Sequence, residues 1–468
     1  MGPGSRPHIL LTSGPQHEPI ESPPHSGRRH QDRRCAVVKL SFRRQSTDID
    51  TRSQVALIHR RAGFGLTPEE RTEAYSRGPA VEIDRLVEPE ANGLARAIDP
   101  WDDATYAIRR PPPELNASAA ADWFFNMITN PRQGEEWMTW FWHGHLVSSL
   151  NKVRHPMLMI NQIRMFTEMG LGDLRSLLVS TTTDPAMLVY LDGNDSTGEA
   201  PNENYARELM ELFALGIGNY TEADVQAGAK ALTGWVSRPR DGYQARFVPR
   251  RHDPEPQTFL GHTDVNDVES VIDAVLDHPA CGPFVARSLA KAILGSSVPT
   301  EVTDELGREF ASGGYLIRPL FRAILEMAVE RPDVVSPIIQ GPLPWLVQAI
   351  RNTGAAWETD LAVRGLHFAG QVPLGPPNVA GWPSGTAWLA SYVVTARFNL
   401  AAGVAALTPP ESPARQAAES LDLGELADIL GRPEGFGPST TGALEGIGTG
   451  KPTEVLTIAL SSPDIVIG

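Results

Sequence analysis

No run of 18 or more consecutive apolar residues occurs in this 468-residue chain, so no segment reads as a membrane-spanning helix. Cysteine is almost missing. Cys35 and Cys281 allow one disulfide at most, and Cys35 lies in a stretch without hydrophobic periodicity, so neither a structural bridge nor a cysteine-based metal site is expected. Positive charge is short as well: 41 Lys+Arg stand against 56 Asp+Glu, net -15, which argues against non-specific nucleic-acid binding by the body of the protein. There is no Gly-rich phosphate loop, no Gly-x-Ser-x-Gly elbow, no His-Glu-x-x-His, no Cys-x-x-Cys and no Glu-x-x-His. Those absences remove the commonest kinases, α/β-hydrolases, zincins, zinc fingers and di-iron carboxylate bundles.

What is present is 41% hydrophobic residues, ten Trp and 40 Pro, enough for a large core with ring-rich packing and many proline-marked connections. Charge is unevenly spread. Residues 1–46 carry eight basic against three acidic side chains, net +5, which leaves -20 for the remainder. That first segment is rich in Pro, Ser, His and Arg and reads as a disordered basic tail. Its paired arginines resemble a twin-arginine signal, but Cys35–Leu40 is too short to serve as the apolar region that must follow.

Helix signals recur from Thr51 onward. Thr67-Pro68, Asp173, Asp184-Pro185 and Thr221-Glu222-Ala223-Asp224 are N-terminal caps. Apolar periodicity predicts later helices over 266–277, 282–293, 300–311, 316–329, 341–352, 357–368 and 388–406. Strand-like alternation is scarce, Tyr243 to Val248 being the best case. The expectation is an all-α fold, mainly helical with few short strands, as one large multi-helix domain over 47–406 with Pro/Gly-rich ordered loops. The Pro-, Gly-, Ser- and Thr-rich stretch 407–450 reads as a loose linker before a short C-terminal helix at Pro452 to Leu460, so that 407–468 stands apart from the main domain.

Three clusters carry the candidate chemistry. In Asn202–Phe213, projection at 100° per residue puts Glu203, Asn204, Arg207, Glu208 and Glu211 on one helical face, opposite Tyr205, Leu209 and Phe213. That face either meets water, with i,i+4 pairs Glu203–Arg207 and Arg207–Glu211, or lines a pocket. The polar loop Leu191–Pro201 leads into it and offers Asp192, Asn194, Ser196 and Glu203 at EF-hand-like spacing, although the sixth place holds Thr197 instead of Gly. The second cluster is Trp137–His145, ending in His143-Gly144-His145. On an extended backbone the two imidazoles would share a side; on a helix they diverge. The third is Arg251-His252-Asp253-Pro254. The loop Ala369–Gly385, with Asn378 and Trp382, reads as ordered cover for a pocket or as plain packing.

These stretches, with His59–Gly65, Asp184–Leu188, Ala231–Trp235 and Pro376–Pro383, together resemble the bacterial family catalogued as domain-of-unknown-function 1800, over about Leu57 to Ala405. The resemblance implies a mainly helical fold and no particular reaction. Relatives often look exported, whereas the missing apolar signal points here to a cytoplasmic location. The resemblance also implies a partner, the sulfatase-like family catalogued as 1501, a frequent genomic neighbour. Two functions follow. In an enzyme, Glu208, Glu211, Arg207 and His143 would be catalytic, and His143, His145, Glu203, His252 and Asp253 would hold a divalent metal as cofactor. In a non-catalytic helical scaffold or partner-binding protein, the same charges would fix the fold.

Overall fold

A computed structural model describes residues 50–468 apart from 239–241 and 243, and apart from the side chain of residue 360. The tail expected over residues 1–46 lies outside the described residues. The N-terminal signals form as the sequence requires. Thr67 accepts a hydrogen bond from the Glu70 amide while the Glu70 carboxylate accepts from the Thr67 amide, a reciprocal capping box ahead of Pro68–Arg77. Thr221 forms the same reciprocal box with Asp224 ahead of Glu222–Ala231, while Asp173 and Asp184 cap Leu174–Thr182 and Pro185–Tyr190 by accepting from the Ser176 and Met187 amides.

The result is an all-α, multi-helix domain in which strand pairing is confined to two small antiparallel ladders, Trp235–Ser237 with Ala245–Phe247 and Gln257–Phe259 with His262–Val265, among the described residues. The later helices fall at Val268–Asp277, Cys281–Leu294, Thr300–Ser312, Ile317–Glu330, Pro342–Thr353, Thr359–Phe368 and Ser391–Leu407, each within about three residues of its expected bounds. No helix among the described residues is long and apolar enough to cross a membrane.

At the centre lies the helix Gln133–His145, packed against Pro79–Val87, Pro156–Met169 and Thr51–Ala62. It approaches the first of these so closely that a Cβ on Gly134 would stand 2.1 Å from the Leu86 carbonyl oxygen. Helices Cys281–Leu294 and Thr300–Ser312 make a second close pair, with Gly282 set against the Gly307 backbone.

One expectation is corrected. The stretch 407–450 is no loose linker. It folds into Pro413–Ser420, Leu423–Ile429 and Pro438–Ile447 before Pro452–Ser461 and Pro463–Val466. Pro413 and Pro438 occupy first-turn positions, where proline is pre-organised for a helix, and Ser412 and Asp422 supply caps. These two prolines start helices and do not break them. Ala414, Ala417, Leu426, Leu444 and Leu456 bury the apolar faces, and Ser391–Leu407 packs on Pro452–Ser461.

Candidate functional site

The Asn202–Phe213 stretch begins as an ordinary helix, Asn204–Glu208, and then widens into a π-helix, Leu209–Ala214. Single π-turns are rare and concentrate at functional sites. The wider turn overturns the 100° projection for the last carboxylate. Glu211 swings away from Arg207 and accepts a 2.6 Å hydrogen bond from the Tyr220 hydroxyl. Arg207 instead bridges Glu203, at 3.0 Å, and Glu222 of the next helix. Both acids stand well in solvent, so this is a surface clamp between neighbouring elements and not a buried ion network. Glu208 is half-buried. Loss of solvation, and then the nearby Glu211 charge, raise its carboxyl above the usual glutamate range.

His143 and His145 close the central helix, so their side chains diverge. His143 is fully buried, its ring edge-on to Trp123 and Trp382 at 5.2 Å and tilted against Trp140 at 6.3 Å. Neither ring nitrogen has a conventional hydrogen-bond partner. Its packing is with rings set steeply to its own plane, at 68° to Trp123 and 70° to Trp382. Burial pushes this imidazole down to about 3, so it is neutral at physiological pH. His145 points elsewhere. Its Nε2 bonds at 2.8 Å with the Phe213 carbonyl, one of the orphan acceptors at the end of the π-helix, and its Nδ1 lies 3.2 Å from Ser288 Oγ. Desolvation holds it down to about 4. The Ala369–Gly385 loop packs over His143: Trp382 stacks on Trp140 at 4.3 Å, and Gly381, at φ 83°, lies against the Gly144 carbonyl.

His252 and Asp253 join a third group. His252 Nδ1 lies 3.0 Å from the Thr233 carbonyl oxygen, and the Thr233 hydroxyl oxygen accepts from the Asp253 amide. Beside them Arg251 anchors the polar loop, donating to the carbonyls of Asn194 and Ser196 at 2.7 and 3.2 Å while its own carbonyl accepts from Gly198. The EF-hand-like side chains are spent on the same purpose. Asn194 Oδ1 accepts from the Ser237 amide, Ser196 Oγ from the Asn202 amide, and Asp192 Oδ2 from Lys152 and Asn204. Among the described residues no three His, Cys, Asp or Glu side chains are placed to hold a metal ion. The structure therefore brings His145 to the backbone of the carboxylate segment, and His252 and Asp253 to the loop that leads into it. It gathers none of the imidazoles with Glu203, Glu208 and Glu211.

Beneath the loop lies a cavity of about 30 Å³, lined by Thr182, Met187, Leu191, Asn202, Tyr205 and Leu232. That is room for one or two waters, against about 300–1,000 Å³ for sites that enclose metabolites. Tyr205 closes its inner wall through a 2.8 Å hydrogen bond with Thr182. Behind it sits a group that sequence reading took only for a cap. Asp184 is buried, accepts from Gln162 and from the Met187 amide, and is pushed by desolvation up to about 7. Glu136, bonded by Trp123, Asn126 and Asn130, is raised by burial to about 7 as well. Glu136 precedes His143 by two helical turns, a spacing that hints at a shared face, but nothing local announces that the face is dry.

These features define a mainly helical protein in which polar motifs are bonded into the framework between helices. The sequence profile of the family described as "Protein of unknown function (DUF1800)" matches residues 57–466, and the chain belongs to that family. No curated protein and no solved structure matches it.

Proposed function

We propose that this chain is a non-catalytic helical scaffold that displays the 191–203 loop to a partner protein. The observation that carries this reading is the use made of the polar groups: Arg251, Lys152, Ser237 and Asn204 all hold the loop, above a cavity of about 30 Å³. A surface loop pinned from several sides binds without the entropy cost of ordering. Asp195 and Glu199 stand exposed on it, so the docking face it suits is basic. The partner implied by the family resemblance is the sulfatase-like protein of family 1501. Co-expression and co-purification of the two test the reading. We expect a complex with the wild type and at least ~10-fold weaker binding with Arg251→Ala, whose fold is kept but whose loop is released. A wild type that elutes alone, or an R251A protein that binds as well, overturns it.

One observation favours an enzyme instead: the half-buried, raised carboxyl of Glu208, for which burial and Glu211 favour the protonated form. A carboxyl tuned upward suits general acid–base work. On that reading wild-type protein turns over a member of a panel of chromogenic esters, phosphoesters and glycosides, and Glu208→Gln loses about 100-fold. Equal rates in both proteins, or no turnover by either, remove it.

A further inference from the structure

From residue 365 to residue 410 a single side chain, Arg397, carries a formal charge at neutral pH with histidine taken as neutral, in a protein that is 21% charged. Arg397 does not reach the surface. It is buried, donates to the Gln340 carbonyl and lies over the Trp345 ring. The outward face of Ser391–Leu407 is consequently free of charge over its whole length. Alongside runs Thr359–Phe368 in the opposite direction: the Ala356 amide bonds to the Leu407 carbonyl at one end, Gly365 abuts Leu400, and Gly370 approaches the Tyr392 hydroxyl at the other.

The two helices thus form one platform, on which Leu361, Phe368, Tyr392, Val394, Phe398 and Leu407 are each between 40% and 72% exposed. With about 200 Å² for the full surface of a large apolar side chain, these six expose roughly 600 Å², the top of the range a monomer leaves open and most of the ~800 Å² each partner gives to a standard interface.

We propose that this platform is a self-association surface, on which a second copy of the chain packs its own Thr359–Phe368 and Ser391–Leu407 about a two-fold axis. Charge selects the occupant. Two molecules of net charge -15 repel each other almost everywhere, and the outward face of Ser391–Leu407, which carries no charged side chain, is where they can close. An anionic membrane would need a basic fringe, and the platform offers only Arg364 and His367 among its exposed positions.

Light scattering on the eluting full-length protein tests this. The wild type should run at twice its 50.8 kDa chain mass. A Tyr392→Asp/Phe398→Asp variant should run at the single-chain mass, its dissociation constant raised at least ~100-fold by charges facing each other across the apolar contact. Both positions are exposed, so the circular dichroism of the variant should match the wild type. Ile98→Asp, at an exposed apolar residue elsewhere, should stay dimeric. A monomeric wild type, or a double variant that keeps the dimer mass, overturns the proposal. Neither result touches the scaffold reading, which rests on the 191–203 loop and on capture of its partner.

Discussion

Gly134→Ala should destabilise the protein by about 3 kcal/mol or more, although alanine is the better helix former. The new Cβ would fall 2.1 Å from the Leu86 carbonyl oxygen and 2.8 Å from the Leu86 Cα, both backbone atoms with no rotamer to retreat into. Relief requires Pro79–Val87 to move away from the central helix. Pro79–Val87 carries Glu82, buried and held by His59 at 2.8 Å and Arg77 at 2.6 Å, so the displacement also strains the pairing of a buried carboxylate. Gly144→Ala, ten residues along the same helix, is the control. Its Cβ would meet only the Trp382 ring at 3.7 Å, an ordinary contact, and the change should stay within about 1 kcal/mol of wild type, toward stabilisation. Thermal midpoints of the two variants check the pair. Equal, small shifts in both would mean that the two helices do not meet as described.

The contrast between these glycines shows where sequence reading succeeds and where it stops. Caps at Thr67, Asp173, Asp184 and Thr221 were legible because their chemistry is local: a side-chain oxygen answers an amide two or three residues away. The later helices were legible through their periodic apolar residues. The π-turn was not, since i→i+5 bonding leaves no trace in a 3.6-residue pattern, and with it went the expected pairing of Arg207 with Glu211, while that with Glu203 forms. Burial of Asp184 and Glu136 was hidden for a related reason. Whether an acid is dry depends on helices far away in sequence, here those that carry Gln162 and Trp123. The Pro- and Gly-rich stretch after Leu407 misled because composition was read without position: a proline at a helix start and one inside a helix weigh alike in a count.

Stability should respond to pH in a way that Asp184→Asn unmasks. Asp184 rises from an ordinary 3.8 to about 7, so the stability it confers is complete below pH 3.8 and is lost as pH climbs through about 7. Glu136 acts in the same direction. His143 and His145 act in the other: lowered from 6.5 to about 3 and about 4, they favour the fold above pH 6.5 and withdraw that support as pH falls toward 4 and 3. From pH 4.5 to 6.5 the two slopes oppose each other, and these four groups leave the wild-type profile nearly flat. Asparagine at 184 keeps an oxygen to accept from Met187 and Gln162 but has no proton to lose. One of the two falling contributions disappears. Relative to wild type, the variant should therefore gain of order 3–4 kcal/mol between pH 4 and pH 8, measured as the difference between their unfolding free energies in denaturant titrations. Taking the difference cancels every group that titrates alike in both proteins. Parallel profiles would mean that the Asp184 carboxyl stays in contact with water and titrates in the fold as it does in the unfolded chain.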